Sequence, residues 1–439
     1  MNRTSKILAE LGRYESRNVT YVAGDGSWPV VWERAGGMHV WDVEGRRYLD
    51  MTAAFGVAAA GHANSRVVAA GRKQMKTLLH AMGDVHPHAL KGRLARELSE
   101  LTFERWSAGR VTGKTIFGSS GFEAVEAALK TALLATGKPG IIAFEGGYHG
   151  LGYGALNAVD RAHFRDPFRP QLAEFGRFVP FPDTPAAMAR VEQAIHRLFE
   201  RHKVGAILVE PVQARGGIRI PPFQFLAMLR KACDRHDALL ICDEIYTGFG
   251  RTGKWFACEH SRVVPDLVCL GKALTGGFPL SACVGKAAVM DAAWPVSSGE
   301  AIHTSTFLGH PVGCAMALAQ IREIRKEQLH LRAARLGKKL AEGMRCVTSP
   351  SSTLILEPRS LGLMAGIELR WKDGSPATDL ALRVVQGMLR RGFILLPEGA
   401  EGSVISLTPP LVVKAAQLRS TLQALSAEIE AAFLGTGKK

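Results

Sequence analysis

Between residues 114 and 285, short apolar runs of strand length alternate with segments of helical period, and this alternation restricts the fold more than any other property of the chain. The runs KTIFGS, GIIAFEG, GAILVEPV, ALLICDEI, DLVCLG and LSACVG are rich in apolar and β-branched residues, and the apolar stretch of each is closed by Gly or an acid. Among them, EAVEAALKTALLA and FQFLAMLRKACDRH carry apolar residues at intervals of three and four. Strands alternating with helices pack as a mostly parallel sheet covered on both faces, so the chain is expected to be α/β. The stretch after GIIAFEG reads as long and irregular. In such sheets ligands lie beyond the carboxyl ends of the strands, and that is where reactive side chains are sought.

On either side the pattern changes. VVWERAGGMHVWDVEGRRYLDM reads as two short strands around the turns AGG and EGR, and GHANSRVVAAGRKQMKTLLHA and HALKGRLARELSELTF read as helices. After a helical stretch near 311–345, short strands return in LGLMAGIELR, GFILLPE and VISLTPP, and QLRSTLQALSAEIEAAFL closes as a helix. The expected division is an N-terminal segment over 1–60, a large domain over 61–320, and a C-terminal small domain over 321–439. The N-terminal segment joins the last part in a smaller α+β unit.

Composition excludes several classes. Of 439 residues, 47% are apolar and 22% charged, which is ordinary for a globular enzyme or binding protein. The N-terminal run MNRTSKILAELGRYESRN has no apolar core of a secretory signal, and no run is long enough to span a bilayer. Seven scattered cysteines with no C-x-x-C spacing point to a reducing, cytoplasmic setting. The net charge of +15 is dispersed, as in RKEQLHLRAARLGKK, which argues for weak attraction of anionic substrates and against a nucleic-acid surface. Ala108–Thr115, AGRVTGKT, fits a relaxed P-loop pattern, but it follows a helical run and opens a strand, the reverse of that motif. It leaves a nucleotide-binding protein as the reading from a different class. His80, His86 and His88 lack the cysteine or carboxylate partners of a metal site and read as loop histidines.

Two strand ends carry the chemistry. Asp243 and Glu244 close ALLICDEI, and Lys272 follows DLVCLG. Separately these are a helix-capping acid pair and a loop lysine. Together they are the two groups that pyridoxal 5'-phosphate requires of a protein, an amine for its aldehyde and an acid for its ring nitrogen. In IFGSSGFEAVEAALK, Ser120 and Glu123 have capping-box spacing, and the free amides of Gly121 and Phe122 at that helix start suit a phosphate.

The motifs GSSGFEAVEAALK, AFEGGYHG, VEPVQARGG, DEIYTGFGRTG, LGKALTGGFPLSA, HTSTFLGHP and ISLTPPL stand in the order and approximate spacing of the class III, or ω-type, aminotransferases. The chain resembles that family from WDVEGRRYLD to LTPPLVV, nearly its whole length. The resemblance implies a fold type I transferase with a seven-stranded-type sheet and pyridoxal 5'-phosphate as cofactor. The implied reaction is a ping-pong transfer of an amino group from a primary amine or amino acid to a keto acid or aldehyde. It also implies that Lys272 forms the Schiff base and that Asp243 partners the ring nitrogen. By the same resemblance, Ile245 would pack on one face of the ring, Tyr148 would stack on the other, and Glu210 would lie near the cofactor. Thr306 is implied to reach the phosphate in the neighbouring subunit of a homodimer. Aminomutases, amino-acid racemases and lyases share this scaffold and stay open as alternatives.

Departures from the pattern concern the substrate. Where many members have a Glu and an Arg that handle the substrate carboxylate, this chain has Arg215 and Ser406. Arg215 is expected either to take over the anion or to sit as an exposed loop residue. Phe55 stands where the family shapes its substrate pocket, although a core-strand Phe is the simpler reading. Phe122 replaces a small residue and His310 an Asn, and neither change removes a backbone phosphate donor.

Overall fold

The computed structural model describes residues 2–24 and 26–435. The apolar runs form one sheet of seven strands: β1 (Gly113–Gly118), β2 (Gly140–Phe144), β3 (Gly176–Val179), β4 (Val204–Val209), β5 (Leu239–Asp243), β6 (Leu267–Leu270) and β7 (Ser281–Lys286). They lie in the order β1-β7-β6-β5-β4-β2-β3. β7 is antiparallel to both neighbours and every other pairing is parallel. β4 and β6 are buried at every residue, because helices cover both faces, and they therefore read as unbroken apolar runs. The parallel arrangement brings the carboxyl ends of β1, β2, β4, β5 and β6 to one edge.

Helix α1 (Gly121–Thr136) leaves β1 at that edge and buries Ala124, Val125, Ala127, Ala128 and Ala132. Small side chains let it lie close to the sheet, and the Cys269 Sγ is 3.5 Å from the Ala124 carbonyl oxygen. Gly137, at φ 67°, ends the helix in the left-handed conformation that favours glycine.

The stretch read as irregular holds three short helical turns, Tyr153–Leu156, Ala162–Arg165 and Asp166–Gln171, and then a strand and a long helix. Helix α2 (Pro185–Arg201) is capped by Thr184, whose hydroxyl accepts from the Ala187 amide, and it buries Val191 and Ile195. Its start signal, Thr followed by Pro, stands in the sequence. β3 is different: GRFV has no alternation, and it is a four-residue edge strand. A Cβ on Gly176 would lie 1.9 Å from the Asn157 carbonyl oxygen, so the backbone there approaches too closely for any side chain.

The N-terminal meander has three strands rather than two, Trp32–Gly36, His39–Asp42 and Arg47–Asp50, and Phe393–Ile394 pairs with the third in parallel. A second antiparallel sheet joins Leu354–Leu361, Met364–Trp371, Val404–Leu407 and Leu396–Glu398. The helical stretch near 311–345 is two helices, Pro311–Lys326 and Leu329–Arg345, parted at Gln328 with φ 47°. Met38 and Met51 of the meander share one core with Ile367, Leu407, Val209 and Val268. All seven cysteines are free, and six are buried. Ala108–Thr115 runs from a turn into β1 with no helix after it. Among the described residues no helix is long and apolar enough to cross a membrane.

Candidate active site

Asp243 is the last residue of β5 and is 4% exposed. Its Oδ2 is 2.7 Å from the His149 Nδ1, and its Oδ1 accepts the Ile245 amide at 3.1 Å. Lys272 stands two residues beyond β6, half-buried, with φ 38°, a backbone conformation unusual outside glycine and frequent at functional positions. Its Nζ is 4.4 Å from the centre of the Tyr246 ring. Burial pulls the amine below its ordinary value, while Asp243 and Glu210 act the other way.

Lys272 and Asp243 open on one cavity of about 330 Å³, whose wall includes Gly121, Phe122, Tyr148, Glu210, Arg215 and Ile245. Eight of the residues singled out in the sequence thus converge. Ile245 presses between two loops: a Cβ on Gly121 would be 3.1 Å from its Cδ1, and one on Gly271 3.4 Å from its Cγ2. The Tyr148 amide donates to the Glu210 Oε1 at 2.9 Å, and its ring packs edge-on against Phe164 at 5.6 Å. Burial raises the Glu210 acid to about 7 although it also accepts the Ala214 amide at 3.1 Å.

At the start of α1 the Glu123 carboxylate accepts the Ser119 and Ser120 amides at 2.5 and 2.7 Å. Those two donors are consumed. The amides of Gly121 and Phe122, in the first turn, have no helical partner and line the cavity. Ser120 itself stays out of the cavity wall. An amine, a buried carboxylate, aromatic and aliphatic flanks and first-turn amides in one cavity match a planar, phosphorylated pyridine aldehyde.

Other sequence candidates lie elsewhere. Thr306 is exposed, in a segment that also exposes Val296, Ile302 and Phe307, and it does not line the cavity. Phe55 is not in a core strand. It is 50% exposed in a left-handed turn, Ala53–Gly56, and borders a separate apolar cavity of about 290 Å³ with Trp28, Trp32 and Leu389. Ser406 is buried, its hydroxyl donating to the Leu396 carbonyl at 3.1 Å. Arg215 does reach the cavity, its guanidinium 4.9 Å above the Tyr148 ring. His310 keeps the cap of the helix Pro311–Lys326 by accepting the Val312 amide at 3.3 Å, so the change from Asn costs no acceptor.

Four residues of the site were not singled out in the sequence. His149 pairs with Asp243, Tyr246 faces Lys272, Glu398 lies 3.6 Å from the Arg215 Nε, and Arg161 donates to the Gly399 carbonyl at 2.9 Å. Only His149 had a local signal, its place after Tyr148 in EGGYHG. Burial opposes charge on His149, yet the hydrogen bond and charge of Asp243 outweigh it and raise the imidazole above its ordinary value.

The family model "Aminotransferase class-III" matches residues 20–429. Acetylornithine aminotransferase of Methanopyrus kandleri is 39% identical over 92% of this chain and 95% of its own length. The 5-aminovalerate aminotransferase of Pseudomonas aeruginosa is 35% identical over 91% of this chain and 93% of its own. An amine transaminase from an uncultivated Pseudomonas species, solved in its PLP-bound form, superimposes with a TM-score of 0.85 at 28% identity, over 96% of this chain and 98% of that one.

Proposed function

The chain belongs to the class III aminotransferases, and on that premise we propose that Lys272, Asp243 and Tyr148 are the working residues of a site for terminal primary amines. The protein is a pyridoxal-phosphate-dependent transaminase. The cofactor, when bound, supplies an aldehyde carbon for the amine and a ring that withdraws electrons. Lys272, through its Nζ, is the residue that would hold that aldehyde. Its amine would also move the proton at the donor's amine-bearing carbon, a task suited to a base pulled down by burial. Asp243, oriented by His149, would hold the proton on the ring nitrogen. Tyr148 and Ile245 would flank the ring, the Gly121 and Phe122 amides would take the phosphate, and Glu210 fixes the Tyr148 backbone.

The observation that carries this reading is that Lys272 and Asp243 open on one cavity from adjacent strand ends. The relatives above are named for acetylornithine and 5-aminovalerate, each of which carries an amine at the end of its chain. A donor screen followed at the cofactor's absorbance band tests it. Terminal amines are expected to convert the aldehyde form to the amine form, and pyruvate or 2-oxoglutarate to restore it. If no amine moves the band, the assignment is lost. Exchange of the α-hydrogen without keto-acid consumption would indicate a racemase, and ammonia release from the donor alone a lyase.

Exposure of Thr306 beside Val296, Ile302 and Phe307 supports a homodimer in which this segment meets the second copy. Mixed dimers with Lys272→Ala on one chain and Thr306→Ala on the other decide whether Thr306 acts across the interface. If it does, one site is wholly wild-type, and the mixed dimer keeps half the activity with wild-type cofactor affinity. Weakened affinity at the surviving site would place Thr306 in its own subunit's site. Free, mostly buried cysteines support a cytoplasmic location. We propose a large domain over 61–320 between the segments 1–60 and 321–439, with the helix Pro311–Lys326 running through the second boundary.

A further inference from the structure

Glu398 ends a short strand and is 5% exposed, a carboxylate buried behind Arg215, which lines the cavity that must admit substrate. Burial makes it a weaker acid, pushing the carboxyl above its ordinary range, and Arg215, then Arg161 and Lys272, oppose that rise. The two arginines have different tasks. Arg161 is committed to backbone, donating to the Gly399 carbonyl at 2.9 Å and the Arg215 carbonyl at 3.4 Å, while the Gly399 amide donates to the Arg215 carbonyl at 3.2 Å. These bonds pin the loop bearing Arg215 to the turn after Glu398. Arg215 itself is held loosely. Its side chain is 35% exposed, and its Nε lies 3.6 Å from the Glu398 Oε2 and has no hydrogen-bond partner. A guanidinium stacked on Tyr148 at 4.9 Å can therefore turn without moving backbone.

We propose that Glu398 is a resident carboxylate that sets donor choice, holding Arg215 when a donor's far end is uncharged and releasing it to a donor that ends in a carboxylate. The inference rests on the cavity being the transaminase site. It uses a different pair of positions from the one described for the family, since Ser406 is turned to the Leu396 carbonyl. In the closed arrangement the Arg215 charge is neutralised, and the cavity presents aromatic surface to an apolar tail. In the open arrangement the substrate's carboxylate takes the place of Glu398 at Arg215. Glu398 then loses its strongest cationic neighbour, with Arg161, Lys272 and the Tyr246 ring still facing it, and takes up a proton. Binding of a carboxylate is thereby linked to proton uptake.

The test uses the holoenzyme and two donors of one length, 4-aminobutyrate and n-butylamine, in single turnovers read at the cofactor band. Glu398→Gln frees Arg215, so half-saturation should fall for 4-aminobutyrate and rise for n-butylamine. Their selectivity ratio should shift by about tenfold, a little more than one partly exposed ion pair supplies. Butyrate, which has no amine and cannot react, gives a second readout by calorimetry in two buffers of different ionisation enthalpy. Wild-type enzyme should take up a proton on binding butyrate, and Glu398→Gln should bind it more tightly with no uptake. In an Arg215→Gln background the substitution at 398 should change neither quantity, which guards against a general loss of packing. An unchanged or reversed ratio, or butyrate binding without proton uptake in the wild type, overturns the proposal. If neither amine moves the band in the wild type, it is the transaminase reading of the cavity that fails.

Discussion

Lys272→Ala should retain the fold and lose turnover by roughly 10²–10⁴-fold from proton transfer alone, with a further loss because no protein amine holds the aldehyde. The half-reaction with a terminal amine, followed at the cofactor band, separates these effects. Added small amines should restore part of the proton-transfer rate in proportion to their basicity, which a merely structural lysine would not allow. A thermodynamic signature accompanies the kinetic one. Burial places the Lys272 amine below 10.5 in the folded protein, so the unfolded chain binds that proton more tightly. Stability of the cofactor-free protein should therefore rise with pH toward 10.5, and Lys272→Ala should flatten the rise. Activity within tenfold of wild type in Lys272→Ala would assign the reaction to another amine.

The site was legible in the sequence wherever its residues sit at the ends of regular elements. Asp243, Lys272 and Glu210 follow strands whose apolar runs are unmistakable, and parallel pairing brings such ends together without further information. The start of α1 was legible for a related reason: Ser120 and Glu123 are local, and their spacing alone predicts which amides are consumed. Residues whose roles are set by tertiary approach were not legible. Glu398 stands 183 positions after Arg215 (398 less 215), and LLPEGAEG gives no hint that its acid is buried. Phe55 shows the converse. TAAFGVAAAG reads as an apolar core strand, but the Asp50 carboxylate accepts the Thr52 and Ala54 amides at 2.8 and 3.1 Å and turns the chain left-handed. Gly56 closes that turn at φ 81°, where a Cβ would be 2.9 Å from the Tyr246 ring. The turn thus packs against the same tyrosine that faces Lys272. β3 escaped because an edge strand of four residues has too few positions to show a period.

Asp243→Asn is the second large effect expected. Asparagine keeps the shape and can still accept the Ile245 amide, but it has no charge with which to hold a proton on the ring nitrogen. Loss of about a hundredfold in turnover would correspond to about 2.7 kcal/mol of transition-state stabilisation. Cofactor affinity should change far less, since the flanks and the first-turn amides are untouched. His149 gives this prediction a second readout. In the wild type its imidazole is raised above 6.5 because Asp243 outweighs burial. The stabilisation of that pair is fully present below about 6.5 and is lost as pH rises through the folded value, so turnover should decline on the alkaline side as His149 loses its proton. Without the Asp243 charge, burial dominates and the imidazole should titrate below its ordinary value. Histidine NMR of Asp243→Asn should show this resonance moving to lower pH, and a titration unchanged from the wild type would mean that Asp243 does not set the charge of His149. The two residues would then act separately. His149→Gln would in that case leave the alkaline limb of the wild-type profile in place, whereas a coupled pair predicts that the limb disappears.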